Sequence, residues 1–138
     1  MKTSDEKVTA DNWRESAALR MPYRDEEGNE SERVFRMGDN GRFGYGEYGP
    51  LIHNSSQKYM WHFWIDKKEF EKSLKITAIN QKSKEEVVIL STDATALAPN
   101  NGASHHIPST INLPEKGLWK FVVEFDGKHF GSLVADVQ

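Results

Sequence analysis

The strongest constraint on this chain lies near its C-terminus, where Leu118-Trp119-Lys120-Phe121-Val122-Val123-Glu124-Phe125 runs into Asp126-Gly127 and is answered by residues 128–137. Two β-rich runs joined by Asp-Gly specify a hairpin, because a type I′ turn needs positive φ at both central residues. A two-residue loop sets Phe125 opposite Lys128, Val123 opposite Phe130, Phe121 opposite Ser132 and Trp119 opposite Val134. One face then gathers Trp119, Phe121, Val123, Phe125, Phe130 and Val134, each contributing about 1.5–3 kcal/mol when fully buried. The opposite face still carries Leu118, Val122, Leu133 and Val137. Either that face is covered, or a bulge near Gly131 turns Leu133 and Val137 inward; sequence alone leaves both open.

Upstream the same texture recurs. From Val34 onward, short alternating apolar runs are separated by Gly, Pro, Asn and Ser, as in an all-β sandwich or barrel. Strands are expected at 34–37, 42–46, 58–65, 73–81, 86–91, 105–112, 118–126 and 128–137, with a long loop over 92–104. Pro108 cannot donate to a ladder, so its strand belongs at an edge or contains a bulge. Asp66-Lys67-Lys68-Glu69 has the pattern of a capping box and predicts one helical turn. Residues 1–33 are polar, include Asp25-Glu26-Glu27-Gly28-Asn29-Glu30, and read as a partly flexible arm ahead of a domain at 34–138. Trp13, Leu19, Met21 and Tyr23 would clip the arm to the body, and residues 12–20 allow a short helix capped by Asn12 or Asp11.

At 138 residues the chain is long enough to bury a core without staples, and it has no cysteine. Disulfides, zinc–thiolate sites and thiol nucleophiles are therefore excluded. The formal charge of −3 is concentrated in residues 1–40, which hold ten acids against seven bases. Without a basic stripe, nucleic acid is not expected as a partner. There is no apolar run of membrane-spanning length and no signal-peptide pattern, so export would require a targeting segment removed from this chain.

Lys58-Tyr59-Met60-Trp61-His62-Phe63-Trp64-Ile65 is the densest aromatic run. Period two puts Tyr59, Trp61, Phe63 and Ile65 on one face and Met60, His62 and Trp64 on the other. The second set is either covered by the N-terminal arm, making this a strand buried on both sides, or an exposed platform for a carbohydrate or peptide. Gly44-Tyr45-Gly46-Glu47-Tyr48-Gly49 matches the spacing of a dinucleotide fingerprint, but Pro50 follows where a helix should open. Its glycines read instead as turns and close backbone approach. Leu113-Pro114-Glu115-Lys116-Gly117 lacks the threonine and apolar tail of a sortase signal, and reads as a turn.

Five histidines raise a metal-handling alternative using His62, His105 and His106, although neighbouring residues in a strand point to opposite faces. His129 should face Glu124 across the hairpin. Ser104 beside His105 does not form a catalytic triad, and Glu85-Glu86 looks solvated. The loop containing Asn101, His105 and His106 is a second place for recognition, since rigid sandwiches carry function on loops. No cofactor is expected.

Lys58–Trp64, Asn101-Gly102-Ala103, His106-Ile107-Pro108-Ser109, Leu113-Pro114, Gly117-Leu118-Trp119, Asp126-Gly127 and Phe130-Gly131-Ser132 together resemble a family of small uncharacterised proteins of spore-forming Gram-positive bacteria. The similarity covers residues 42–138. It implies an immunoglobulin-like antiparallel β-sandwich, here of seven or eight strands, and a lipid-anchored or secreted location; any lipid anchor would lie outside this chain. The expected function is a non-enzymatic, monomeric, extracytoplasmic binding module of the cell envelope for a protein, peptide or carbohydrate. Candidate ligand contacts are Trp64, His62, Met60, Asn101, His105 and His106. The alternatives are the metal-handling protein and a cytosolic protease inhibitor built on the same sandwich.

Overall fold

The computed structural model describes residues 13–66, 73–92, 98–100 and 103–138. Among them are ten strands and no helix: β1 (Ala18–Arg24), β2 (Glu30–Met37), β3 (Phe43–Gly46), β4 (Gln57–Phe63), β5 (Leu74–Asn80), β6 (Glu86–Thr92), β7 (Ala98–Asn100), β8 (Ala103–Ile111), β9 (Gly117–Phe125) and β10 (Lys128–Val137). They form two antiparallel sheets, one of six strands in the order β1-β2-β3-β4-β8-β7 and one of four in the order β10-β9-β5-β6. The sheets meet through aromatic rings. Trp61 of β4 lies 5.7 Å from Phe121 of β9, and Phe63 lies 5.7 Å from Phe125. All four are buried, so the sandwich expected from the alternating runs is the observed fold.

The hairpin resolves the choice left open by its sequence. Asp126 and Gly127 have φ of 51° and 77°, as the tight turn requires. Lys128 faces Phe125 and His129 faces Glu124 as expected, but Gly131, rather than Phe130, faces Val123. Phe130 is thus the extra residue of a bulge, and beyond it every β10 side chain changes face. Leu133, Ala135 and Val137 enter the core with exposures of 0–2%. Leu118 and Val122 remain half-buried on the outer face, where the Trp13 ring lies 4.5 Å from the Lys120 ammonium and 5.4 Å from that of Lys84.

The bulge is held from a distance in sequence. A Cβ on Gly131 would stand 2.7 Å from the Phe43 ring and 2.9 Å from both Asp39 Oδ1 and Asn40 Nδ2. Asp39 accepts from the Ser132 amide and hydroxyl through its carboxylate, and Asn40 Nδ2 donates to the Phe130 carbonyl. Farther along, Ser16 donates its amide to Val134 O and accepts from Val134 N through its hydroxyl. Leu51 then bridges Val137, so the outer edge of β10 is occupied at successive points rather than left open. Gly131→Ala is expected to destabilise the protein by about 2–3 kcal/mol, since the blocking groups are the fully buried Phe43 ring and two side chains held by hydrogen bonds. An unchanged urea midpoint would contradict this packing.

Three sequence expectations are corrected. Residues 18–33, read as part of a polar arm, contain β1 and the start of β2, and the helix proposed at 12–20 is not formed: residues 13–17 lack regular structure and Ala18 begins a strand. The acidic run is the turn between these strands. Asp25 Oδ1 accepts from the amides of Glu27 and Asn29, and Gly28 takes φ +86°. The backbone bond from Asn29, joined by its side-chain bond and by those from Glu27 and Gly28, outweighs desolvation and holds the Asp25 carboxyl below its usual range. The strand count rises from seven or eight to ten because β1 was missed and because β7 forms inside the expected 92–104 loop. Pro108 lies in the half of β8 that pairs only with β4, where a missing donor leaves no second ladder broken. The helical turn expected after Asp66 falls on residues 67–69, outside the described residues.

Candidate functional site

The outer face of the six-stranded sheet is organised around two glycines. In register, Phe35 faces Gly46, Met37 faces Gly44, Gly44 faces His62 and His62 faces His106. Gly44 and Gly46 place no side chain on this face, leaving a furrow along β3. Gly44 also lies so close to the Arg36 carbonyl that a Cβ would collide with it. Across the furrow the Phe35 ring meets His62 edge-on at 5.0 Å and Trp64 edge-on at 5.9 Å. Trp64 stacks on His62 at 6.2 Å, and His62 stacks on His106 at 6.3 Å. His62 and Phe35 are 1% and 2% exposed, whereas Trp64, Met60 and His106 are half-buried.

The aromatic run is buried on its inner face and only partly covered on its outer one. β4 is buried on both faces at His62, and among the described residues the ring that covers it is Phe35 of β2, outside the arm expected at 1–33. Trp64 retains an accessible surface. Phe35 and His62, the two rings against Trp64, also line a cavity of about 320 Å³ with Arg33, Gly46, Glu47 and Tyr48. Tyr48 is 78% exposed and stacks on Tyr59 at 6.1 Å. Glu85 and Glu86 are exposed, and the hydrogen bond that the protonated Glu85 carboxyl donates to the Glu115 carboxylate holds Glu85 above its usual range.

The sequence-derived candidates separate as follows. Trp64, His62, Met60 and His106 share this face. His105 pairs through its backbone with Phe63, not His62, and its side chain lies outside the described residues, as does Asn101. Among the described residues no three His, Asp or Glu side chains group to hold a metal. Phe35, Met37, Arg33 and Tyr48 complete the face but were not singled out in the sequence. A signal for the first two exists: Arg33, Phe35 and Met37 alternate, on the strand that pairs with the first glycine-containing run.

A model of the family described as domain of unknown function DUF4871 matches residues 5–135. The chain belongs to the DUF4871 family. Its structure is similar to the crystal structure of a "putative lipoprotein" from Bacillus anthracis, with a TM-score of 0.62 at 20% identity over 100% of this chain and 94% of that one. At that identity the likeness is one of fold. No curated protein matches the sequence. Membership in an uncharacterised family agrees with the resemblance carried by the residues of the DUF4871 chain.

On the inward side of the same strands this DUF4871 member has a polar cavity of about 370 Å³ between β2, β3 and the end of β10. Arg36 dominates it, donating to both Glu47 carboxylate oxygens at 2.7 and 2.9 Å and to Ser16 O at 2.6 Å, with Glu15 3.7 Å away. Burial alone would weaken the guanidinium's hold on its proton, but the Glu47 bond and charge more than offset this. Burial, reinforced by Glu47, pushes the phenols of Tyr45 and Tyr59 upward, so both stay neutral. This paired cluster ties the β1–β2 hairpin to the body and leaves the outer face as the better candidate site.

Proposed function

We propose that the chain is a non-enzymatic extracytoplasmic binding module of the bacterial cell envelope, receiving a peptide, protein or carbohydrate ligand on the outer face of the six-stranded sheet. The observation that carries this reading is Trp64. It is a half-buried indole fixed by Phe35 and His62, and those two rings in turn line a cavity rimmed by the exposed Tyr48. Rigid aromatic surface flanked by polar groups is the usual composition of peptide and sugar sites. The envelope address is supported by the description of the similar Bacillus anthracis protein as a "putative lipoprotein".

Two measurements test it. Calorimetric titration with soluble peptidoglycan fragments and with a panel of short unstructured peptides should give saturable binding in at least one set, lost in Trp64→Ala while the thermal midpoint is retained. Binding untouched by Trp64→Ala, or none in either set, would overturn the site. Fractionation of cells expressing the full open reading frame should place the protein with membrane or wall; recovery in the cytosol would overturn the address.

A further inference from the structure

We propose that the outer face of the six-stranded sheet receives an amphipathic helix of a partner polypeptide, apolar on one side and acidic along its flanks. The proposal rests on the outer-face reading above and narrows its ligand class. Three adjacent rows of the sheet carry it. Met37, Gly44, His62 and His106 form one row. Leu19, Phe35 and Gly46 form the next, with Met60 and Pro108 beyond, since Gly46 follows the Tyr45–Trp61 pair. Met21 and Arg33 open the third, and Lys58 and Thr110 close it. Met21, Met37 and Met60 therefore share one face, and they are every methionine among the described residues. Leu19 and Met21 are 44% and 38% exposed, and Met37 and Met60 are half-buried. Flexible, polarizable thioethers make a compliant apolar surface of the kind that holds amphipathic helices.

Charge narrows the partner. The chain has 21 acids against 18 bases, yet no carboxylate stands in these three rows among the described residues, and their charged members are Arg33 and the exposed Lys58. Acidic flanks on the helix complement them. Two bases fall short of the roughly four to eight that draw a protein onto an anionic membrane. Thioethers give sugar hydroxyls only weak acceptors, which disfavours a carbohydrate over this part of the face. The edges of the sheet disfavour an added strand. Met37 N donates to Ala17 O and Asp25 N to Asn29 O, so odd-numbered residues of β1 bond toward β2 and even-numbered ones face its free edge. Pro22 sits in the middle of that edge and has no N–H to offer. The opposite edge strand, β7, has three residues. The face itself is left, and rows about 7 Å apart, crossing strands spaced about 4.8 Å, accommodate one helix about 10 Å wide.

The test is fluorescence anisotropy of labelled synthetic peptides titrated with the full chain. One peptide has a leucine stripe at helical spacing flanked by glutamates, a second has lysines in place of the glutamates, and a third scrambles the first. The first should bind saturably, and the other two roughly tenfold or more weaker. Met21→Gln and Lys58→Glu should each weaken the first roughly fivefold or more while keeping the wild-type thermal midpoint, since both side chains are accessible. Val88→Glu, at an exposed position of the other sheet, should bind as wild type. Equal affinity for the three peptides, no saturable binding, wild-type affinity in both Met21→Gln and Lys58→Glu, or loss in Val88→Glu would overturn the proposal. So would co-sedimentation with phosphatidylglycerol vesicles in place of peptide binding. Trp64-dependent binding of peptidoglycan fragments without binding of the acidic helix would overturn this inference and leave the Trp64 site standing. Helix binding weakened by Met21→Gln but untouched by Trp64→Ala would support the inference and overturn the role given to Trp64.

Discussion

Trp61→Ala is expected to lower the free energy of unfolding by about 3–5 kcal/mol, the range for removing a large aromatic from a packed core. Trp61 is fully buried, lies 5.4 Å from the Tyr45 ring and 5.7 Å from Phe121, and so spans the interface between the sheets. Its indole also donates to Ser109 Oγ at 2.7 Å, tying β4 to β8. The alanine variant loses the packing, opens a cavity and leaves the buried Ser109 hydroxyl without its donor. Urea denaturation should show the midpoint falling with the slope unchanged. A loss under about 1 kcal/mol would mean that Trp61 does not join the two layers.

The second large effect is expected at Gly44, where alanine should cost about 3 kcal/mol, the upper part of the range for inserting one methyl into a filled site. The obstacle is the Arg36 carbonyl, a ladder atom of β2 that moves only if the β2–β3 pairing moves with it. The other glycines of the run give the comparison. A Cβ on Gly46 would meet only the tip of the Tyr48 side chain at 3.2 Å, and one on Gly49 would meet nothing within 4 Å. Gly46→Ala should therefore be mild and Gly49→Ala close to neutral. Equal losses at all three positions, followed by thermal unfolding, would refute this account of the motif.

That motif illustrates what the sequence could convey. Gly-x-Gly-x-x-Gly has the spacing of a phosphate loop, but Pro50 blocks a following helix, so close backbone approach was the reading left. Which glycine makes the approach depends on pairing with β2, a strand absent from any local pattern around Gly44. The hairpin behaves likewise. Asp126-Gly127 specifies its turn locally, whereas the bulge depends on Phe43 and Asp39, which reach Gly131 from the other end of the chain.

The missing β1 has a different cause. Leu19, Met21 and Tyr23 alternate, which is a strand signal, and Asp25 to Asn29 carries the side-chain and glycine chemistry of a turn. The charged residues between them favoured an arm, because a strand with polar groups on one side and sparse apolar groups on the other resembles an unstructured segment until its partner is known. In the site, period two correctly grouped Met60, His62 and Trp64. It could not reveal that Phe35 crosses a glycine strand to cover His62, since that contact is made in the sheet and not along the chain.

The central claim is that the working surface of this sandwich is the outer face around Trp64. The most direct measurement is 19F NMR of the chain labelled with 5-fluorotryptophan, whose four indoles are Trp13, Trp61, Trp64 and Trp119. During titration with peptidoglycan fragments and the peptide panel, the resonance missing from Trp64→Phe should shift saturably while that of Trp119, buried in the other sheet, stays fixed. Saturable binding that moves Trp13 and leaves Trp64 unmoved would place the working surface on the opposite sheet and contradict the claim.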